Sequence, residues 1–201
     1  MQMRALAVDG AFEFSPKVYP DDRGFFVSPF QEDAFRDAVG HPSIPVAQTN
    51  HSMSRRGVIR GVHYTVTPPG VAKHVYCARG RALDIVVDTR VGSPTFGRSE
   101  AVLFDQQDFR SVYFPVGVGH AFIALEDETV MSYLLTSAYV PKYELSISIF
   151  DPALQLSIPD GIDGIQSQRD TVAPTLDEAR LAGLLPDYET CRQRERALWR
   201  Q

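Results

Sequence analysis

Five side chains could between them move a proton off carbon and back: His63, in the stretch Arg60-Gly61-Val62-His63, Lys73 ten residues on, then His120, Tyr133 and Asp170. A neutral imidazole can take the proton, an ammonium can hold the negative oxygen that results, and a phenol, still protonated at pH 7, can return a proton. That is the equipment of an enolising enzyme. Each side chain also has a plainer place: His63 as a satisfied core or rim histidine, Lys73 at a strand edge with its ammonium in water, Tyr133 packed in an apolar strand, Asp170 capping a turn. The chemical reading rests on their occurring together.

These residues need elements that turn them inward. Side chains alternate along a strand, so His63 shares a face with Gly61 and Ile59 while Arg60 points the other way. A bulge at Gly61 would bring Arg60 and His63 into one cavity, and the reading depends on that bulge. Lys73 alternates with Val75 and Cys77, so a charge opens a face that is otherwise apolar.

Residues 12–159 read mostly as strand and turn. Segments such as Ala82-Leu83-Asp84-Ile85-Val86-Val87-Asp88, Ser111-Val112-Tyr113-Phe114 and Val130-Met131-Ser132-Tyr133-Leu134-Leu135 are short, β-branched or aromatic, and bounded by turn residues. Many short strands at this spacing predict a sandwich or barrel. One short helix is expected over residues 31–39, stopped by Gly40. From Thr175 the character changes: Thr175-Leu176-Asp177-Glu178 is a capping-box sequence opening a helix, and residues 187–200 read as a second. The expected job of this tail is packing or oligomer contact.

A chain of 201 residues, 44% hydrophobic, is sized for one compact domain with a substantial core. Its formal net charge of -5 argues against a nucleic-acid polymer as partner, although a local arginine cluster can still bind one phosphorylated small molecule. Cys77 and Cys191 are too far apart to suggest a disulfide framework or a metal knuckle, and read as thiols of a reducing compartment. The N-terminal residues lack the apolar core of a signal peptide, and no run approaches the roughly 20 apolar residues of a membrane span. No membrane partner and a cytoplasmic location are the expectation.

Several ordered phrases carry a more specific message. Asp22-Arg23-Gly24-Phe25-Phe26, Gln48-Thr49-Asn50-His51-Ser52, Gly57-Val58-Ile59-Arg60-Gly61-Val62-His63-Tyr64, Phe114-Pro115-Val116-Gly117-Val118-Gly119-His120-Ala121-Phe122 and Ser167-Gln168-Arg169-Asp170, with Lys73 and Tyr133 between them, resemble the dTDP-4-keto-6-deoxyhexose 3,5-epimerase family. The resemblance spans roughly residues 10–172. The phrase His63-Tyr64-Thr65-Val66-Thr67-Pro68-Pro69-Gly70 is similar to the actinomycete branch that serves antibiotic deoxysugars, the epivancosamine-type 5-epimerases among them.

The resemblance implies a mainly β, cupin-like jelly roll over residues 1–174 with a helical appendage over 175–201, and a homodimer that exchanges N-terminal strands. It implies a dTDP-4-keto-deoxysugar as substrate, with no cofactor and no metal. His63 would be the base, Asp170 its partner fixing the tautomer, Lys73 the cation beside the C4 oxygen and Tyr133 the acid on the opposite face. Arg60 would contact a phosphate through its planar donor fork. Arg23 would reach the nucleotide across the dimer, Phe26, Gln48 and Asn50 would contribute to its pocket, and Tyr139 would offer a stacking surface for thymine. His120 would touch substrate or pair with Asp84.

Three positions depart from the rhamnose-type pattern: Ser28 where Glu is usual, Thr65 for Gln, and Ala121 for Gly. The last two bear on which substituents and carbons are accepted. Two rivals belong to other classes. A metal-dependent cupin would use His63 and His120 as ligands, but position 65 is Thr and residues 66–72 offer no carboxylate. A sugar-binding jelly roll without catalysis would not need base, acid and lysine together.

Overall fold

The computed structural model describes residues 1–41, 44–162 and 164–199. Its strands are β1 (Gln2–Ala5), β2 (Phe12–Ser15), β3 (Val18–Asp21), β4 (Gly24–Val27), β5 (Gln48–Ser54), β6 (Ile59–Thr65) and β7 (Lys73–Arg79), followed by β8 (Arg81–Val87), β9 (Ser99–Asp105), β10 (Ser111–Phe114), β11 (Gly119–Ala124), β12 (Thr129–Leu135) and β13 (Glu144–Ser146). The helices are α1 (Glu32–Val39), α2 (Gln168–Thr171), α3 (Leu176–Leu181) and α4 (Tyr188–Leu198). A six-stranded sheet has the order β1-β2-β10-β7-β12-β5, a five-stranded sheet the order β13-β6-β11-β8-β9, and β3 and β4 form a separate hairpin. All the pairings within these sheets are antiparallel, giving the sandwich that the strand pattern predicted and the cupin-like jelly roll that the family resemblance implied.

Alternation explains the layers. On β7, Val75 and Cys77 face the five-stranded sheet and join Val86 of β8, Phe104 of β9, Phe122 of β11 and Met131 of β12 in a core between the sheets. The intervening residues face outward and need their own cover. On the outer side of the five-stranded sheet, Ile59, Val62, Tyr64, Ile85 and Ile123 are sealed by Ile147, Ile149, Leu154 and, from α3, Leu176 and Ala179. On the outer side of the six-stranded sheet, Phe14, Ala72 and Tyr113 are sealed by Phe35 of α1 and Cys191 of α4. Each burial removes apolar surface from water, worth about 1.5–3 kcal/mol for a large aliphatic or aromatic side chain.

The expected elements lie within a residue or two of the observed ones, as helix and strand ends usually do. The first helix begins one residue later than expected because Gln31 is its N-cap, and it ends on Gly40 in a left-handed conformation. The capping box at Thr175 is formed in full, its hydroxyl accepting from the Glu178 N–H and the Glu178 carboxylate accepting from the Thr175 N–H. Asp187 caps α4, which ends at Leu198, and position 200 of the expected helix lies outside the described residues. Strand β1 and the short helix α2 were not expected. Neither four-residue element is long enough to show a period.

The bulge at Gly61 is present. His63 pairs with His120 and Arg60 with Phe122, so three steps along β6 oppose two along β11. Gly61 sits at φ +102°, and a β-carbon there would collide with the His120 carbonyl oxygen and the Ala121 backbone.

Candidate active site

At one end of the sandwich the space between the sheets opens into a cavity of about 480 Å³. The five-stranded sheet lines it with Arg60 and His63 of β6, His120 of β11 and Glu144 of β13; the six-stranded sheet contributes Asn50 of β5, Lys73 of β7 and Tyr133 of β12. His63 and Tyr133 therefore approach the cavity from different sheets. Because of the bulge, Arg60 and His63 both reach it.

His63 is tied to Asp170, whose Oδ1 lies 2.7 Å from His63 Nε2. The aspartate is held by α2: Ser167 caps that helix and accepts from the Asp170 N–H at 3.2 Å, while Gly61 N–H donates to Oδ2 at 3.5 Å. Asp170 is 4% exposed. Burial opposes its charge, yet the bond and charge of His63, with the Ser167 and Gly61 donors, hold its carboxyl below the usual carboxylate range. Burial pulls the His63 imidazole below the usual histidine range, and the nearby cations Arg169 and Lys73 act in the same direction against Asp170. A buried neutral imidazole with one nitrogen fixed by a carboxylate is a base in the right state near pH 7.

Lys73 is 7% exposed, so it does not carry its ammonium into water as an edge lysine would. Its field reaches both His63 and Asp84. Tyr133 keeps its proton firmly: burial raises the phenol well above its ordinary value, and the Ser52 hydroxyl lies 3.4 Å from its oxygen. His120 lines the cavity and pairs with Asp84, its Nε2 lying 2.6 Å from Asp84 Oδ1. Asp84 is fully buried, and burial raises its carboxyl above the usual range. The His120 ring also packs edge-on to Tyr133, with centroids 5.9 Å apart.

Around this centre the remaining expected residues divide. Arg60 is oriented by bonds to Ser54 Oγ at 3.2 Å and the Met53 carbonyl at 3.4 Å. Asn50 and Tyr139 line the cavity, and Gln48 links them, donating to Asn50 at 2.7 Å and accepting from the Tyr139 N–H at 2.9 Å. Arg23 and Phe26 do not reach the cavity of their own chain. Both sit on the β3–β4 hairpin, where the Arg23 side chain is 89% exposed beside Asp21 and Phe26 is 68% exposed.

The geometry adds residues that sequence reasoning did not single out. Glu144 lies opposite Thr65 across the β13–β6 pair and accepts its hydroxyl at 2.8 Å. Arg169 places Nη2 2.7 Å from His63 Nε2. Only the pairing of β13 with β6 brings Glu144 in, and nothing local in the sequence announces it. Arg169 adjoins Asp170, and its signal was that neighbourhood.

A base on one wall, with a proton donor and a buried ammonium on the other, can remove a proton from carbon next to a carbonyl and return one to the opposite face. Comparison with known proteins is consistent with this chemistry. Residues 5–178 match the family described as dTDP-4-dehydrorhamnose 3,5-epimerase. A dTDP-4-dehydro-6-deoxyglucose 3-epimerase of Streptomyces bikiniensis is 44% identical over 195 residues, covering 97% of this chain and 99% of that protein. A dTDP-4-dehydrorhamnose 3,5-epimerase of Mycolicibacterium smegmatis is 44% identical over 191 residues, covering 95% and 94%. Among solved structures, ChmJ, a 3'-monoepimerase from Streptomyces bikiniensis in complex with dTDP-quinovose, superposes with a TM-score of 0.91 at 43% identity, covering 98% of each chain.

Proposed function

Since the chain belongs to the dTDP-4-dehydrorhamnose 3,5-epimerase family, we propose that it inverts C5, with or without C3, of a dTDP-4-keto-deoxysugar, amino-deoxysugars included, in antibiotic sugar biosynthesis. The observation that carries the reading is the meeting of His63 and Tyr133 across one cavity that Lys73 also lines. The C4 ketone acidifies the adjoining C–H bonds. His63 takes one of those protons, the C–H electron pair becomes the enolate double bond, and the carbonyl pair moves onto oxygen. Lys73 stabilises that oxygen. Tyr133 delivers a proton to the opposite face as the ketone reforms, so the carbon is inverted with no net change in composition. Arg60 takes a phosphate of the dTDP.

The runner-up is the dTDP-4-dehydrorhamnose 3,5-epimerase of rhamnose formation, which the Mycolicibacterium relative favours. The phrase from His63 to Gly70 favours the antibiotic branch; of the departures from the rhamnose-type pattern, Thr65 bonds the cavity residue Glu144, and Ala121 is buried on the outer side of the five-stranded sheet. In the dimer that the family suggests, Arg23 and Phe26 of the exposed hairpin complete the nucleotide pocket of the partner subunit. We place the enzyme in the cytoplasm, where sugar nucleotides are made; among the described residues no helix is long and apolar enough to cross a membrane.

The experiment is proton NMR of dTDP-4-keto-6-deoxyglucose with enzyme in D₂O. Loss of the C5 signal, alone or with C3, is expected; loss at C3 alone, the activity for which the Streptomyces bikiniensis relative is named, overturns the C5 assignment. With His63→Ala, exchange falls by about 10²–10⁴-fold while dTDP still binds. Full exchange in that variant removes His63 as the base.

A further inference from the structure

One nitrogen of the base has two neighbours with opposite demands. Asp170 Oδ1 and Arg169 Nη2 each lie 2.7 Å from His63 Nε2. An ionised carboxylate can only accept, so Asp170 calls for a proton on Nε2; a guanidinium can only donate, so Arg169 calls for a lone pair there. The Arg169 Nε is also 3.6 Å from Asp170 Oδ1, which sets the guanidinium across both partners of the pair. Arg169 lines the main cavity and a neighbouring one of about 280 Å³, and His63 and Arg60 line both as well.

We propose that Arg169 is a positioning residue for the base: Asp170 keeps the single ring proton on Nε2, and the charge of the guanidinium held against the ring opposes a second proton, so that Nδ1 stays free to accept one from carbon. This rests on His63 being the base. Asp170 alone would favour the imidazolium, which orients well but cannot abstract. Arg169 tips that balance, because a second positive charge at contact distance disfavours the imidazolium and leaves the neutral ring in place. The other charged or titratable groups around His63 are Lys73 of β7, which acts in the same sense, and His51, Arg60, His120, Tyr133, Tyr139 and Glu144, which share the cavity. Among the described residues, Arg169 is the cation within hydrogen-bond distance of the ring.

The side chain is 42% exposed, so its replacement removes no core packing. The first readout needs no substrate. The chain has five histidines, and the His63 ring proton is assigned as the resonance missing in His63→Ala. In Arg169→Gln its titration moves to higher pH than in the wild type, and in Arg169→Lys it returns towards the wild type. The second readout is turnover: in Arg169→Gln the ratio of kcat/KM at pH 6 to that at pH 8 falls about three- to tenfold, and Arg169→Lys restores it. Superimposable titrations in wild type and Arg169→Gln overturn the proposal. So does a rise in KM that is equal at every pH, which marks a phosphate contact. If His63→Ala keeps its turnover, the base assignment fails by itself, and the titration still decides whether Arg169 governs the ring.

Discussion

His74 sits beside Lys73 on β7 and points the opposite way, into the cover of the six-stranded sheet. Its ring lies among Phe14 and Phe30, with centroids 5.6 and 5.4 Å away, and is 1% exposed. Burial pulls its pKa down to about 4, and the Pro29 carbonyl offsets only part of that. The folded chain therefore resists a proton that the unfolded chain takes up below about pH 6.5. Stability falls as pH drops from 6.5 towards 4, then levels off, with a total cost of roughly 3 kcal/mol. Urea unfolding at pH 7 and pH 4.5 checks this: the gap between the two free energies shrinks in His74→Leu, and an equal gap in both chains refutes the assignment. One-residue alternation thus separates Lys73, which lines the cavity, from a histidine with a structural place. Lys73, His63, Tyr133 and Asp170 were legible as a chemical set because their types and their family phrases are visible in the chain. Arg169 and Glu144 were not, since what distinguishes them is a 2.7 Å approach to His63 and a cross-strand partner in Thr65.

Among the elements, β6 shows how a backbone irregularity decides chemistry. Without the extra residue at Gly61 and Val62, Arg60 and His63 would lie on opposite faces and only one could reach the cavity. Gly61 tolerates φ +102° and leaves room for the His120 carbonyl, which no other residue can do. Gly61→Ala is expected to cost about 2–4 kcal/mol and several degrees in Tm, and to cut turnover more than dTDP affinity because the base is displaced from Asp170. An unchanged Tm with full turnover would mean that β6 can hold its two side chains without the bulge. The need for the bulge could be argued from strand alternation, and its exact register could not, because β11 supplies the counting frame. The strands after β1, with α1 and the Thr175 capping box, were readable from alternation, glycine stops and caps. Helix α2 was not: four residues held by Ser167 have too little periodicity to stand out, although they hold Asp170.

For the whole molecule, the β3–β4 hairpin is the part that a single chain leaves unexplained. Tyr19, Phe25 and Phe26 on it are 50%, 55% and 68% exposed, more apolar surface than a lone two-stranded hairpin usually presents to water. Exchange of this hairpin in a homodimer would place Arg23 beside the partner's cavity, and mixing two damaged chains tests that. His63→Ala lacks the base and Arg23→Ala the nucleotide contact, so each alone is slow at low substrate. In a mixed dimer one of the two cavities pairs an intact His63 with an intact Arg23, and activity returns. If Arg23 serves its own chain, mixing restores nothing.

The covering of the two sheets has a last consequence, for how the protein is made. Part of the cover on the outer face of each sheet is made after all the strands, Leu176 and Ala179 for one and Cys191 for the other, and Asp170 is itself more than a hundred residues downstream of the histidine it holds. While synthesis is under way the sheets expose apolar faces that invite association with other chains. A nascent chain can thus have its strands and its base made and still be inert, with the partner of that base arriving more than a hundred residues later.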